Sequence, residues 1–200
     1  MRRSITAQFV SAFAALSAVV IATFVVMTVA VRNGQSADAA RGRSFAVLAT
    51  ADELEQSVLD LETGLRGYLL TGKPQFLQPY NSALGLYPVL ARRLETATVG
   101  EGSNHALSVS IASAISAYAA HWTSPVILLA DHDLRAARRL EAGGGGKARV
   151  DAIRAQFATL LARETSLHSA QAANADSLAA FAFVAGLVGV GIFILVMTVM

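Results

Sequence analysis

The chain has 200 residues, of which 16 are Lys or Arg, 14 are Asp or Glu and none is cysteine, and its formal net charge is +2. Residues 32–176 hold 14 charges of each sign and residues 177–200 hold none, so the positive excess is not the clustered basic face that a nucleic-acid-binding protein needs. The lack of cysteine excludes a disulfide framework and a thiolate metal site, and a charged fraction of 15% is too low for an ordinary soluble domain.

Two long uncharged runs, residues 4–31 and 177–200, stand at the two ends of the sequence. A helix needs about 20 apolar residues to cross the hydrocarbon of a bilayer, so we predict transmembrane helices at 10–31 and 177–200. Residues 1–9 are then the cytoplasmic N-terminus and the start of the first span. A cleaved signal peptide is the alternative for the first run, although its apolar stretch exceeds the roughly 7–15 residues of a signal core.

The charges beside the first run predict its orientation. Arg2 and Arg3 precede the run, and positive residues next to a span favour the cytoplasmic side. We therefore expect the N-terminus inside the cell and residues 32–176 outside the membrane, in the periplasm or the extracellular space. Arg32, directly after the run, weakly opposes this orientation.

Between the two runs, glycine and proline interrupt a helical pattern at three places, residues 71–74, 100–102 and 143–146. Three interruptions predict four helices, and no segment carries the alternating pattern of a strand. The fold class predicted is all-α, an elongated up-down four-helix bundle flanked by two transmembrane helices. We interpret the four consecutive glycines at 143–146 as a tolerated flexible turn.

The first two predicted helices carry apolar residues at steps of four and three, which is the spacing of a helical core face. The first helix continues out of the membrane to about Leu70. The second covers about residues 75–98, and Pro88 is expected to bend it. The repeating residues are Leu54, Val58, Leu61, Leu65 and Tyr68 in the first helix and Tyr80, Leu84, Tyr87, Ala91 and Leu94 in the second.

The third predicted helix covers about residues 104–142, with Ser103 as its N-cap and a bend at Pro125. The fourth starts near Lys147 and runs on into the second span. Their predicted core residues are Leu107, Ile111, Ile115, Tyr118 and Trp122 in the third helix and Val150, Ile153, Phe157, Leu160 and Leu161 in the fourth.

One stretch of the sequence is specific enough to suggest a family. Residues 61–72 read LETGLRGYLLTG, and residues 76–80 read FLQPY. This pair of motifs resembles the signature of the type-three CHASE domain, an exported helical sensory domain of bacterial signalling proteins. Weaker similarity continues at residues 122–125 and 146–154, so the resemblance, with the two flanking spans, covers essentially the whole chain.

The resemblance implies a sensory input module in the bacterial inner membrane. Such a module takes a small-molecule or envelope stimulus, forms a homodimer and feeds a cytoplasmic output such as a histidine kinase, a diguanylate cyclase or a chemotaxis transducer. We expect that output domain to be missing from this chain, which predicts the input part of a longer receptor without enzymatic activity of its own. The alternative is a membrane-tethered scaffold that binds a partner protein and no ligand.

A ligand pocket between helices is the sensing hypothesis that the residues suggest. Arg66 has a planar guanidinium that suits an anionic ligand, although its spacing from Glu62 also predicts a helix-stabilising ion pair. Tyr68, Tyr80 and Trp122 lie on core stripes, and each keeps a polar atom that needs a partner when buried. The predicted ligand-binding residues are therefore Arg66, Tyr68, Tyr80 and Trp122.

The remaining residues of the motif are assigned structural roles: Glu62, Thr63, Gly64, Gly67, Gly72 and Pro79. Gly64 and Gly67 lie inside a helix, where glycine is about 1 kcal/mol less favourable than alanine. We therefore expect another helix to approach the backbone there.

No cofactor or metal site is predicted. The four histidines have no helical spacing that would pair them as ligands. The acidic cluster at residues 131–133 is interpreted as a solvated end of the third helix.

Overall fold

The computed structural model describes the backbone of residues 5–199, with side chains throughout 39–167 and at some positions outside that range. No β-strand occurs within 5–199, so the predicted all-α class is confirmed. The α-helices are α1 (Ile5–Thr71), α2 (Gln78–Ala97), α3 (Ser103–Tyr118), α4 (Ser124–His132), α5 (Leu134–Ala142) and α6 (Gly145–Val199). A 3₁₀ turn at Pro74–Leu77 precedes α2, and a π-helical turn at Ala119–Thr123 joins α3 to α4.

The prediction of one helix over residues 104–142 was wrong, because the backbone leaves the helical conformation at Asp133, with φ −145° and ψ 88°. The Asp133 carboxylate accepts a hydrogen bond from the backbone N–H of Ala136 at 2.9 Å and so caps α5. Residues 131–133 are therefore the junction between two helices, and not only the solvated end of one.

The beginning and the middle of the third predicted helix also differ from expectation. Ser103 is the first residue of α3 and makes no capping bond, since Gly102, at φ +50°, is the N-cap residue. Pro125 lies in the first turn of α4, directly after the π turn. A wider π turn relieves the clash that a proline ring makes with the carbonyl one turn earlier.

The described chain divides into two compact units: the central unit, Arg43–Leu167, and the residues on either side of it. Among the described residues, no helix has a stretch that is both long enough and apolar enough to cross a membrane. Many side chains of the predicted spans, 10–31 and 177–200, lie outside the described residues.

The main core of the central unit is built by α1, α2, α3 and α6. Leu54, Ile111 and Phe157 are fully buried there, as the stripes on α1, α3 and α6 predicted. The stripe on α2 was partly wrong, since Leu84 is 38% exposed. Ala83 is buried in its place, because it lies one turn beyond Tyr80 on the inner face of the helix.

A second core covers the end of α1, and it brings α5 against that end. Its buried residues are Leu65, Tyr68, Leu69, Val126, Ala130 and Ala137. Arg138 of α5 donates from Nε to the carbonyl of Leu69 at 2.5 Å and from Nη2 to the carbonyl of Leu70 at 3.0 Å. These carbonyls are in the last turn of α1, where no helical partner remains for them. Arg138 therefore fixes α5 to α1.

Candidate functional site

Gly64 and Gly67 bring the start of α2 against α1. A Cβ added to Gly64 would lie 2.7 Å from the backbone nitrogen of Tyr80, and one added to Gly67 would lie 3.3 Å from the ring of Phe76. The approach of another helix expected at Gly64 is therefore present. Tyr80 is buried, and its hydroxyl lies 3.1 Å from the hydroxyls of both Thr123 and Ser124, which fixes α2 to the π turn.

Glu141 is the centre of a polar network near the end of α1. Its Oε1 lies 3.7 Å from Nε of Arg66, whose Nη2 forms the predicted ion pair with Glu62 at 2.9 Å. Its Oε2 accepts a hydrogen bond from Nε1 of Trp122 at 3.1 Å. The guanidinium of Arg149 covers the indole ring at 4.4 Å from its centroid, a favourable cation–π arrangement. The network therefore joins α1, the π turn, α5 and α6.

The first turn of α6 lies directly against the indole of Trp122. A Cβ on Gly145 would come within 2.5 Å of the ring, and a Cβ on Gly146 would lie 2.6 Å from Nε1 and 2.7 Å from the Glu141 carboxylate. The interpretation of residues 143–146 as a merely flexible turn was therefore wrong for its last two glycines. The carboxylate of Glu141 also lies where the positive end of the helix dipole favours an anion.

Two buried tyrosines near this network stay neutral at physiological pH. Tyr68 donates to Oδ1 of Asp131 at 2.5 Å, and its pKa is raised by that hydrogen bond, by burial and by the negative charge of Asp131. Burial raises the pKa of Tyr118, and the carboxylates of Glu62 and Glu141 raise it further. The Tyr118 hydroxyl has no hydrogen-bond partner among the described residues.

Arg66 lies between two open grooves. The first, called the cationic groove, has a volume of about 490 Å³ between the ends of α1 and α5 and the start of α6. It is lined by Arg66, Leu69, Leu70, Arg138, Glu141, Ala142, Gly144 and Lys147. The second groove, of about 720 Å³, lies between α1 and the start of α2. It is lined by Thr63, Arg66, Gly67, Leu70, Gln75, Phe76, Gln78 and Pro79.

The structure connects the four predicted ligand residues unequally. Arg66 and Trp122 both contact Glu141. Tyr80 bonds to the π turn that carries Trp122, whereas Tyr68 pairs separately with Asp131. Of the four, only Arg66 appears among the lining residues of the two grooves.

The sequence model of the CHASE3 domain family matches residues 37–174, which is more than half of the chain. The chain belongs to the CHASE3 domain family. This confirms the resemblance carried by residues 61–80, and it makes the chain a sensory input domain of signalling receptors, a class without catalytic activity. No curated protein and no solved structure matches the chain.

A buried carboxylate lies at the end of the central unit opposite to the Glu141 network. Glu164 of α6 is 3% exposed and accepts hydrogen bonds from Oγ of Ser44 at 2.8 Å and from Nδ2 of Asn104 at 2.7 Å. Glu101 lies beside it. Burial raises the pKa of Glu101 and the Glu164 carboxylate raises it further, while Asn104 and Arg43 act in the opposite direction.

The sequence reasoning missed this cluster, although a signal was present. Glu164 follows Phe157 and Leu160 at the steps of the apolar stripe on α6. Ser44 and Asn104 likewise extend the stripes on α1 and α3. A polar residue on an apolar stripe indicates a buried polar contact. Glu141 had no comparable signal, because its partners are distant in sequence.

Within the described residues of the CHASE3 domain, no group of three or more acidic, histidine or cysteine side chains is placed to hold a metal ion.

Proposed function

We propose that this chain is a membrane-anchored input module whose CHASE3 domain lies outside the cytoplasm and passes a stimulus through α6 to a cytoplasmic signalling partner. The observation that carries the proposal is the position of the Trp122 side chain. Its indole contacts Gly145 and Gly146 in the first turn of α6, and Glu141 joins it to Arg66 at the grooves. A change at Arg66 is therefore transmitted through two side chains, Glu141 and Trp122, to the start of a helix that extends to Val199.

Anchoring by two spans, 10–31 and 177–200, rests on the two uncharged runs of the sequence. The exposed side chains of the first run support it, since Phe13 and Phe24 are each 72% exposed and Met27 is 66% exposed. Apolar surface of this kind is costly in water and suits lipid hydrocarbon. In this topology Arg2 and Arg3 hold the N-terminus in the cytoplasm, and residues 32–176 face the periplasm or the exterior.

The stimulus acts by favouring one of two arrangements of the Arg66–Glu141–Trp122 network. A ligand that prefers one arrangement 100-fold shifts the equilibrium by about 2.7 kcal/mol, which is enough to reverse a moderately unequal population. Tyr68 and Tyr80 position the helices around the network through their hydroxyl contacts. The signalling species is a homodimer, and the exposed side chains of Phe13, Phe24 and Met27 on α1 offer apolar surface for its interface.

The topology is tested first, and the absence of native cysteine makes the test direct. Arg92, exposed on α2, is replaced by cysteine in the full chain, and intact cells are treated with a thiol reagent that does not cross membranes. We expect labelling without lysis. Labelling that requires broken cells would overturn the proposed location.

Transmission is tested in the full chain in lipid nanodiscs. Val20→Cys places a single thiol on the exposed face of α1, where the side chain is 59% exposed. The rate of disulfide formation between two copies is compared among three chains. These are the Val20→Cys chain itself, the same chain with Trp122→Ala, and the same chain with Tyr87→Phe as the control. We expect the first change, and not the control, to alter the rate. Equal rates in all three, or no cross-link between copies, would contradict the proposal.

A further inference from the structure

The cationic groove carries more positive charge than its own carboxylates balance. Three of its lining residues are cations, Arg66, Arg138 and Lys147, whereas Glu141 is its one carboxylate. Asp151 pairs with Lys147 from the next turn of α6. The groove wall itself therefore presents three cations to one carboxylate, where three helix ends meet, while Asp151 and Glu62, which pairs with Arg66 at 2.9 Å, balance the remaining charge from outside the wall.

The two arginines keep donors for a further acceptor. A guanidinium has five N–H donors, and Arg138 uses only Nε and one donor of Nη2 on the carbonyls of α1. Arg66 is 48% exposed, and its contact with Glu141 is long at 3.7 Å, compared with about 2.7–2.9 Å for a strong charge-assisted bond. The ion pair with Glu62 at 2.9 Å occupies one donor of Nη2, so Arg66 keeps its other Nη donors for an acceptor that comes closer. Arg138, held by two carbonyls, is already fixed in position.

The rest of the groove wall is apolar. Leu69 and Ala142 contribute to it, and Leu70 leaves 78% of its surface exposed. A ligand with a charged head and an apolar body can therefore place its head on the two guanidinium groups and its body on the exposed leucine. A volume of about 490 Å³ lies within the range of roughly 300–1,000 Å³ that small-molecule sites occupy.

We propose that the cationic groove binds a small carboxylate with an apolar body, such as an arylacetate or a branched aliphatic acid. The ligand's carboxylate accepts hydrogen bonds from Arg66 and Arg138, and its body covers Leu70 and Ala142. This inference rests on the proposed sensory function and names the class of its stimulus. Binding draws Arg66 away from Glu141. The carboxylate that holds the Trp122 indole at the start of α6 then loses its contact with Arg66.

The test uses the full chain in lipid nanodiscs, with phenylacetate and 4-methylpentanoate as probes and titration calorimetry as the readout. Phenylacetamide has the same shape as phenylacetate without the charge, and acetate has the charge without the body. We expect both probes to bind, and each comparator to bind at least about tenfold more weakly. Inorganic phosphate is included as an anion without an apolar body. If phosphate bound as tightly as the probes, the proposed role of the apolar body would be overturned.

Three substitutions locate the site. Arg66→Gln and Arg138→Gln each remove a charged guanidinium group, and Leu70→Ser removes apolar wall, so each is expected to weaken phenylacetate binding by about tenfold. Arg139→Gln is the matched control on α5, and it is expected to leave affinity unchanged. Circular dichroism checks the fold of each variant. Leu70→Ser keeps the backbone carbonyl that Arg138 uses, so its result stands even where Arg138→Gln impairs folding.

Absence of binding by both probes, or equal affinity in Arg66→Gln, Leu70→Ser and the control, would overturn this inference. Those outcomes do not affect the cross-linking comparison with Trp122→Ala, which uses no ligand. A changed cross-linking rate without probe binding refutes the ligand class alone, whereas an unchanged rate refutes the proposed function.

Discussion

Ser44 of α1 donates a hydrogen bond to the buried carboxylate of Glu164 on α6 at 2.8 Å. Asn104 donates to the other oxygen of the same carboxylate at 2.7 Å. A buried charge is tolerated when hydrogen bonds satisfy it. The contact ties together the two helices that continue beyond the central unit, within a few residues of its limits at Arg43 and Leu167.

The neighbouring Glu101 makes stability depend on pH. Its pKa is raised in the folded protein, first by burial and then by Glu164, so the folded state binds the proton more tightly than the unfolded state does. The stabilising contribution is complete below the ordinary glutamate pKa and is lost as the pH rises through the raised value. We expect the melting temperature to fall between mildly acidic and neutral pH.

Glu101→Gln isolates this contribution, because glutamine stays neutral at every pH. The variant is expected to lose part of the pH dependence of the melting temperature and to be more stable than the parent at neutral pH. Glu53→Gln, on an exposed carboxylate of α1, is the matched control. The same slope in Glu101→Gln and the parent would show that another group titrates.

Two glycines on helices should respond to alanine in opposite directions. Gly64→Ala places a methyl group 2.7 Å from the backbone nitrogen of Tyr80, and such overpacking costs about 1–3 kcal/mol. Gly85 of α2 has nothing within 4 Å of an added Cβ. Gly85→Ala is therefore expected to gain about 0.5–1 kcal/mol from helix propensity. Thermal unfolding of both variants measures the difference, and destabilisation of equal size would contradict the close approach at Gly64.

Two tyrosine-to-phenylalanine changes should also differ in sign. Tyr68 donates to the carboxylate of Asp131, so Tyr68→Phe is expected to lose about 1.5–3 kcal/mol, the range for hydrogen bonds to charged groups. The Tyr118 hydroxyl is buried without a partner, so Tyr118→Phe removes an unsatisfied group and leaves stability equal or higher. Denaturant unfolding compares the two. A large loss in Tyr118→Phe would indicate a partner for its hydroxyl.

The cap of α5 is tested at Asp133. Asp133→Ala removes the hydrogen bond to the N–H of Ala136, and the loss of such a cap costs about 0.5–2 kcal/mol. Asp133→Asn keeps an acceptor and is expected to retain most of the stability. Because α5 positions Arg138, hydrogen exchange of the last turn of α1 should increase in the alanine variant alone. Equal behaviour of both variants would contradict the capping role.

Much of the central fold follows from local patterns in the sequence. Leu54, Ile115 and Phe157 were found as core residues because helical spacing places them on one face. The Glu62–Arg66 pair was found because its partners are one turn apart. The break at Asp133 was missed, since apolar residues continue on both sides of it and a capping aspartate resembles any exposed one.

The candidate site was less accessible to sequence reasoning. Glu141 joins Arg66 to Trp122, and all three lie far apart in the chain, so only the tertiary fold reveals the contact. The glycine run at 143–146 indicates a flexible turn in the sequence. Its close contact with an indole could not be predicted, because that contact depends on where the π turn places Trp122.

The π turn at Ala119–Thr123 sets the rotation of α4 relative to α3. A π turn carries one residue more than an α turn, and one residue corresponds to about 100° of rotation about the axis. The faces before and after Ala119–Thr123 are therefore offset, which lets Tyr118 serve the main core while Val126 serves the second core. Deletion of the exposed Ala120 would restore an even helical repeat and turn one of these faces towards solvent, so the length of this segment is constrained more strictly than its residue types.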